Sequence, residues 1–201
     1  ALEAVEKGEV KFYPDRWRKI YNHWLELVEA EDSNAICIGT WPNLHCPVTL
    51  AALENNKHVL CEARMAMNAA DAHAMRNASL RKPNLVAQIV PSPHTLKIDS
   101  TVIGLINDGY LGEILLVDLM VHQGDFIDYD APLSWRQDQD LSGLNIMQMG
   151  IWYEALMRWI GPANKVTSVN RVNVKTRQDG HGKRHAITVP DQDAVVDSSR
   201  I

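Results

Sequence analysis

Two short segments place chemically able residues directly after apolar runs. Thr40, Trp41, Pro42, Asn43 and His45 follow the run ending at Ile38, and Glu62 and Arg64 follow Val59-Leu60-Cys61. A proline after a strand end fixes the backbone and removes a donor, which suits a loop on which a planar ring or a ribose must lie. Trp41 can stack on such a ring or pack beneath the turn. Asn43 and His45 offer polar atoms to a ligand. The plainer alternative is a strand-to-helix turn that Asn43 caps, with His45 decorating the first helical turn. In the second segment, the Arg64 guanidinium stays protonated, so it is a poor general acid but a good bidentate anchor for a carboxylate or phosphate. Glu62 can bind a ribose hydroxyl or pair with Arg64, and Ala63 between them can move no proton.

Further candidates lie downstream. His94 and Lys97 follow Pro91-Ser92-Pro93, His122 lies in an apolar run, and Arg136 follows Trp135. Gln148 can hydrogen-bond a substrate hydroxyl but cannot take its proton at neutral pH. Trp152 can donate from its indole or stack, and Tyr153 adjoins it. Cys37, Cys46 and Cys61 have no metal-ligand spacing, and no metal site is expected. No Ser-His-Asp order and no phosphate loop is present.

The elements that must position these residues are legible as patterns. Trp17, Ile20, Tyr21, Trp24, Leu25 and Val28 recur at helical spacing between Asp15 and Ala30. A strand over 34–39, a helix over 45–55, a strand over 58–61, a helix capped by Asn68 through about Leu80, and a strand over 85–90 follow. This alternation argues for parallel βαβ units, in which both turns sit at the carboxyl ends of neighbouring strands, where ligands bind. Cys37 and Cys61 are expected on buried strands. After about residue 110 the character changes. The turn over 107–112 introduces a long strand, Glu113 to about Gly124, and a polar stretch and an apolar helix from about Leu144 to Ile160 come next. An alternating strand over 165–175 then leads to a charged hairpin tip over 177–184.

The residues Thr40-Trp41-Pro42-Asn43-Leu44-His45 and Glu62-Ala63-Arg64 resemble the T-P-N-x-x-H and E-K-P turns of the Gfo/Idh/MocA oxidoreductases. A second anchor is Gly109-Tyr110-Leu111-Gly112-Glu113, similar to the family's G-x-[IL]-G-x before its first long strand. A third is the helix after Ser142-Gly143, where the family writes D-x-G-x-H and this chain has Gln148 and Trp152. The resemblance runs from about Phe12 to Pro190. It implies an α/β fold: a partial Rossmann-like parallel sheet over residues 1–92, then an α+β domain with a mostly antiparallel open sheet over 93–201. It implies NAD or NADP as cofactor, bound by Thr40, Trp41, Pro42, Asn43, His45, Glu62 and Arg64. The polar cleft would be completed by Arg136, Trp152 and Tyr153 toward substrate. Ala63 stands where the family's catalytic lysine would be, so the catalytic candidates become Lys97, His94 and Gln148, of which Lys97 and His94 can move the proton. The N-terminal glycine-rich unit is expected to lie upstream of this chain.

The bulk composition narrows the alternatives. A formal net charge of −5 with scattered Lys and Arg argues against a nucleic-acid partner. No apolar run approaches the roughly 18 residues of a membrane span. Three cysteines without an evident pairing point weakly to a reducing, cytoplasmic setting. The expected activity is hydride transfer between nicotinamide and a sugar, cyclitol or related polyol, in a homo-oligomer formed through the C-terminal sheet. The alternatives are cofactor binding without redox turnover (a sensor or inactive subunit) and NAD-assisted glycoside cleavage or elimination.

Overall fold

The computed structural model describes residues 21–90, 96–122, 128–144 and 147–197. Helix α1 (Trp24–Glu29) leads into strand β1 (Ala35–Ile38), a 3-10 turn at Pro42–Leu44 and helix α2 (His45–Glu54). Strand β2 (His58–Cys61), helix α3 (Ala69–Arg81) and strand β3 (Ala87–Ile89) complete a parallel sheet of order β1–β2–β3. Ile36 lies opposite Val59 and Ile38 opposite Cys61 in that register, so the period-2 apolar positions of neighbouring strands fall in rows. Ile36, Ile38, Val59 and Cys61 form one buried face, and Val48, Ala52 and Leu53 of α2 and Met75 and Ala78 of α3 pack with them in a single core. Helical spacing on one side and strand alternation on the other meet there, which is the two-layer arrangement that buries both.

Polar contacts pin the ends of these elements. The Asn68 side chain accepts from the Asp71 amide at 2.9 Å and caps α3. Buried Lys57 donates from Nζ to the Ala30 carbonyl, to the Ser33 carbonyl at 2.7 Å and to Ser33 Oγ at 2.9 Å. An ammonium inside a protein needs such oxygens, and these tie the end of α1 to the start of β2.

The second half is built around helices α4 (Asp99–Asn107), α5 (Gln139–Ser142) and α6 (Met147–Ile160), with a 3-10 turn at Trp135–Gln137. Strands β4 (Val166–Arg171) and β7 (Gln192–Asp197) pair antiparallel, as do β5 (Thr176–Gln178) and β6 (Arg184–Ala186). Asp99 accepts from Trp159 Nε1 at 2.7 Å and from Arg158 Nη2 at 3.2 Å, which fastens α4 to α6. The α/β class with a parallel sheet followed by antiparallel pairing is therefore what the molecule has.

Four local expectations differ. Residues 113–122 form no strand; Leu115, Leu116 and Met120 are exposed there, because an apolar run becomes a strand only with a ladder partner, and none pairs with it among the described residues. Helix α4 is an addition: Val102, Ile103, Leu105 and Ile106 carry its pattern, and the neighbouring prolines and Gly104 obscure it. Leu144, expected near the start of helix α6, is a bend outside it. Cys37 is exposed rather than buried, since burial on β1 alternates and, among the described residues, the Ile36 and Ile38 face is the one that meets the helices.

Candidate cofactor and substrate cleft

The two turns lie side by side because their strands do. Glu62 N donates to the Ile38 carbonyl at 2.9 Å, which extends the pairing of β1 and β2 into the loops. His45 then locks the turns together. It is 1% exposed, with Nδ1 2.7 Å from the Arg64 carbonyl oxygen and Nε2 3.0 Å from the Thr40 carbonyl oxygen. A neutral imidazole has one N–H and can donate to either carbonyl; only the imidazolium donates to both at once. His45 thus shapes the turns from below instead of presenting its ring to a ligand. Pro42 is buried at the first position of the 3-10 turn, and Thr40 Oγ1 donates to the Trp41 carbonyl at 3.1 Å. Asn43 caps no helix: Leu44 is the N-cap of α2, and buried Asn43 Oδ1 has no hydrogen-bond partner.

Trp41 is 49% exposed at the rim. Its ring stacks on Trp135, with centroids 6.5 Å apart and planes inclined by 22°. The Arg136 guanidinium carbon lies 4.4 Å from the Trp135 ring centroid, a cation–π contact. Local chemistry holds this pair of residues in place. Ser134 and Gln137 form a reciprocal capping box around the 3-10 turn, and Arg136 N donates to Ser134 Oγ at 3.2 Å. Buried Arg177, on β5, donates to the Asp128 and Ala131 carbonyls at 2.7 and 2.9 Å and so anchors the loop leading to Trp135.

Arg64 closes the arrangement. Its Nη1 donates to the Ser142 carbonyl at 2.6 Å, while Ser142 Oγ donates to the Arg136 carbonyl at 2.9 Å. Next to it, Gly143 has φ +73°, and a Cβ there would stand 2.4 Å from the Met67 carbonyl oxygen. Only glycine fits that conformation and that approach. Burial, reinforced by the neighbouring Arg136 cation, lowers the Arg64 guanidinium to about 10, so it remains charged at neutral pH. The Ala63–Arg64 peptide is cis.

The cleft therefore gathers Thr40, Trp41, Pro42, Asn43, His45, Arg64 and Arg136, together with Trp135, Ser142 and Gly143. Glu62 is exposed and, among the described residues, forms no ion pair with Arg64. Trp152 and Tyr153 are half-buried on α6, the helix fastened to α4. Lys97 is exposed just before α4, Gln148 lies in the first turn of α6, and His94 falls outside the described residues. Trp135 and Ser142 were not singled out as site residues by sequence. The Trp135-Arg136 pair was the available signal for the first; for Ser142 it was only its place beside Gly143, because its carbonyl and hydroxyl meet their partners only once the two turns pack. Burial pushes the Cys61 thiol up to about 11, so it is no nucleophile. No group of His, Cys, Asp and Glu among the described residues could hold a metal ion.

Residues 1–89 match the family model described as the oxidoreductase family with an NAD-binding Rossmann fold, Gfo/Idh/MocA. That stretch of the chain is similar to the NAD-binding Rossmann part of the Gfo/Idh/MocA oxidoreductases. Levoglucosan dehydrogenase of Pseudarthrobacter phenanthrenivorans is 27% identical over 120 residues, covering 60% of this chain and 30% of that protein. Human glucose-fructose oxidoreductase domain-containing protein 2 is 25% identical over 92% of this chain and 46% of its own length. Among solved structures, an oxidoreductase domain protein from Kribbella flavida superposes with a TM-score of 0.71 at 26% identity, covering 88% of this chain and 48% of that one. Levoglucosan dehydrogenase in complex with NADH and L-sorbose shares the fold, with a TM-score of 0.67 at 22% identity over 87% of this chain and 47% of that one. The chain spans half or less of the length of these relatives and neighbours.

The described residues fit a nicotinamide dinucleotide in two respects. The half-exposed Trp41 offers a ring face at the carboxyl end of the parallel sheet, where such folds bind ligands. The unpartnered Asn43 Oδ1 offers a buried acceptor for a hydroxyl or amide of the cofactor. No helix among the described residues is long and apolar enough to cross a membrane.

Proposed function

We propose that this chain forms the cofactor-facing part of an NAD(P)-dependent dehydrogenase acting on a sugar, cyclitol or related polyol. The observation that carries the reading is the pair of turns at the ends of β1 and β2, tied to each other by His45 and presenting Trp41. The family relationship and the sugar-acting relative support it. Bound nicotinamide would supply the hydride acceptor. The chain's part is to orient the ring on Trp41, hold the substrate near Arg136, and accept the hydroxyl proton as the carbinol hydrogen leaves as hydride. Ala63 offers no proton acceptor, so Lys97 or His94 remains the candidate base, with Gln148 hydrogen-bonding the substrate hydroxyl, Trp152 and Tyr153 toward substrate and Glu62 toward a ribose hydroxyl.

The division at about residue 92 and oligomerisation through the C-terminal sheet belong to the same proposal, as does a cytoplasmic setting. NADH fluorescence titration tests the cofactor half of the reading. A panel of sugars and polyols read at the reduced-nicotinamide absorbance tests the reaction. Quenching by NADH together with turnover on a neutral or acidic sugar supports a dehydrogenase. Binding without turnover on the whole panel supports the cofactor-binding homologue, which Ala63 favours.

A further inference from the structure

Hydride transfer to nicotinamide does not by itself need two guanidinium groups on one rim of the cleft, yet Arg64 and Arg136 are held there by one residue. Ser142 receives Arg64 through its carbonyl and grips the Arg136 backbone through its hydroxyl. Arg136 is half-buried, and its charge lies over Trp135. Among the described residues no carboxylate pairs with it. The acidic side chain closest in sequence, Asp138, is directed to the Asp140 amide at 2.9 Å, where it caps α5. Two cations brought together out of bulk water repel, and the Arg64 guanidinium is lowered first by burial and second by that repulsion. A bound oxyanion would relieve it and would accept charge-assisted hydrogen bonds in a planar, bidentate geometry.

The position of the pair bears on whose anion it is. In doubly wound folds the dinucleotide pyrophosphate is received by a glycine-rich turn at a helix N-terminus. Arg64 stands on the turn after β2 and Arg136 on the 3-10 turn at Trp135–Gln137, neither of which is such a turn. Beside them, Trp135, stacked on Trp41, offers an aromatic surface to the C–H face of a sugar ring. We infer that the substrate is a sugar acid, a hexuronate, with its ring beside Trp135 and its carboxylate on Arg136. Arg64 is the positioning residue: it sets the second positive charge and holds the Ser142 segment. The inference deepens the dehydrogenase reading and rests on it for the identity of the cleft.

The test uses the whole chain and follows tryptophan fluorescence with D-glucuronate, D-glucose and inorganic phosphate as probes, with and without NADH. Glucuronate is expected to bind at least about tenfold more tightly than glucose, the scale of one charge-assisted hydrogen bond. Raising the salt concentration should weaken glucuronate and leave glucose unchanged. Arg136→Gln should abolish the preference for glucuronate over glucose, and Arg136→Lys should restore part of it. Equal affinity for glucuronate and glucose in the folded wild type overturns the inference. So does a preference that survives Arg136→Gln. Phosphate binding as tightly as glucuronate, with Arg136→Gln weakening NADH and not glucuronate, assigns the anion to the cofactor and also overturns it. Failure of NADH to bind while the Arg136-dependent preference persists counts against the dehydrogenase reading alone.

Discussion

Arg64 donates from Nη1 to the carbonyl oxygen of Ser142, 78 residues further along the chain, at 2.6 Å. The same Ser142 hydroxyl bonds the Arg136 carbonyl, so a single buried serine connects the turn after β2 with the turn that carries Trp135. The cleft rim is therefore closed by a side chain from one half of the chain and a backbone carbonyl from the other.

Removing that tie should cost measurable stability. Arg64→Ala is expected to lower the unfolding free energy by about 1.5–3 kcal/mol, the range for a hydrogen bond to a charged group. Arg64→Lys should fall between the two, since an ammonium keeps the charge and loses the planar fork. Urea unfolding followed by tryptophan fluorescence reads both. An unchanged midpoint for Arg64→Ala would show that the rim does not depend on this contact.

Glycine 143 and glycine 39 give a paired prediction. A Cβ at Gly143 meets the Met67 carbonyl oxygen at 2.4 Å in a backbone with φ +73°, whereas Gly39 has nothing within 4 Å. Gly143→Ala should destabilise by about 1–3 kcal/mol from backbone strain, with the clash adding to it. Gly39→Ala should change stability by about 1 kcal/mol or less. Thermal unfolding of the two variants side by side decides whether the close approach holds in solution.

Ala63 is exposed at the tip of the second turn, between Glu62 and Arg64. On the proposal that the missing proton carrier limits turnover, Ala63→Lys should raise the rate of NAD reduction on a sugar substrate by about 10²-fold, the lower end for a positioned acid or base. The assay is reduced-nicotinamide absorbance under substrate saturation. No gain would mean that another group already moves the proton, or that the cleft has lost this chemistry.

The hairpin of β5 and β6 should loosen in acid. The Asp179 carboxyl is held below its usual range, first by the hydrogen bond from His185 Nε2 at 2.7 Å and then by the His181 amide. A carboxyl whose folded pKa is depressed stabilises the fold above its ordinary value of about 3.9 and loses that contribution as pH falls through the lower folded value. Amide exchange in Thr176–Gln178 and Arg184–Ala186 should therefore quicken as pH drops below about 4, relative to the intrinsic rate. Asp179→Asn should remove the dependence. Persistence of the same profile in that variant would place its origin elsewhere.

Short-range signals were read correctly from the chain. His58–Cys61 is a strand over the expected residues, and Asn68 caps α3 with its side chain on Asp71. The Thr40–His45 and Glu62–Arg64 turns lie at neighbouring strand ends, as alternation of strand and helix demands. Such features depend on residues a few positions apart, whose capping, periodicity and turn chemistry act before any fold exists. Where a pattern needed a distant partner, reading failed. Among the described residues, the apolar run over 113–122 found no ladder, and Cys37 is exposed because the helices cover the Ile36 and Ile38 face of β1.

The amino-acid sequence by itself thus determined the α/β class, the parallel βαβ order and the two turns at neighbouring strand ends. Only the tertiary structure decided that His45 works beneath those turns, that Arg64 reaches Ser142 instead of pairing with Glu62, and that Trp41 meets Trp135. The physical reason lies in the range of the interactions. Each of those contacts joins groups that approach only after separate elements pack, and no local propensity encodes which carbonyl or ring waits at the far side.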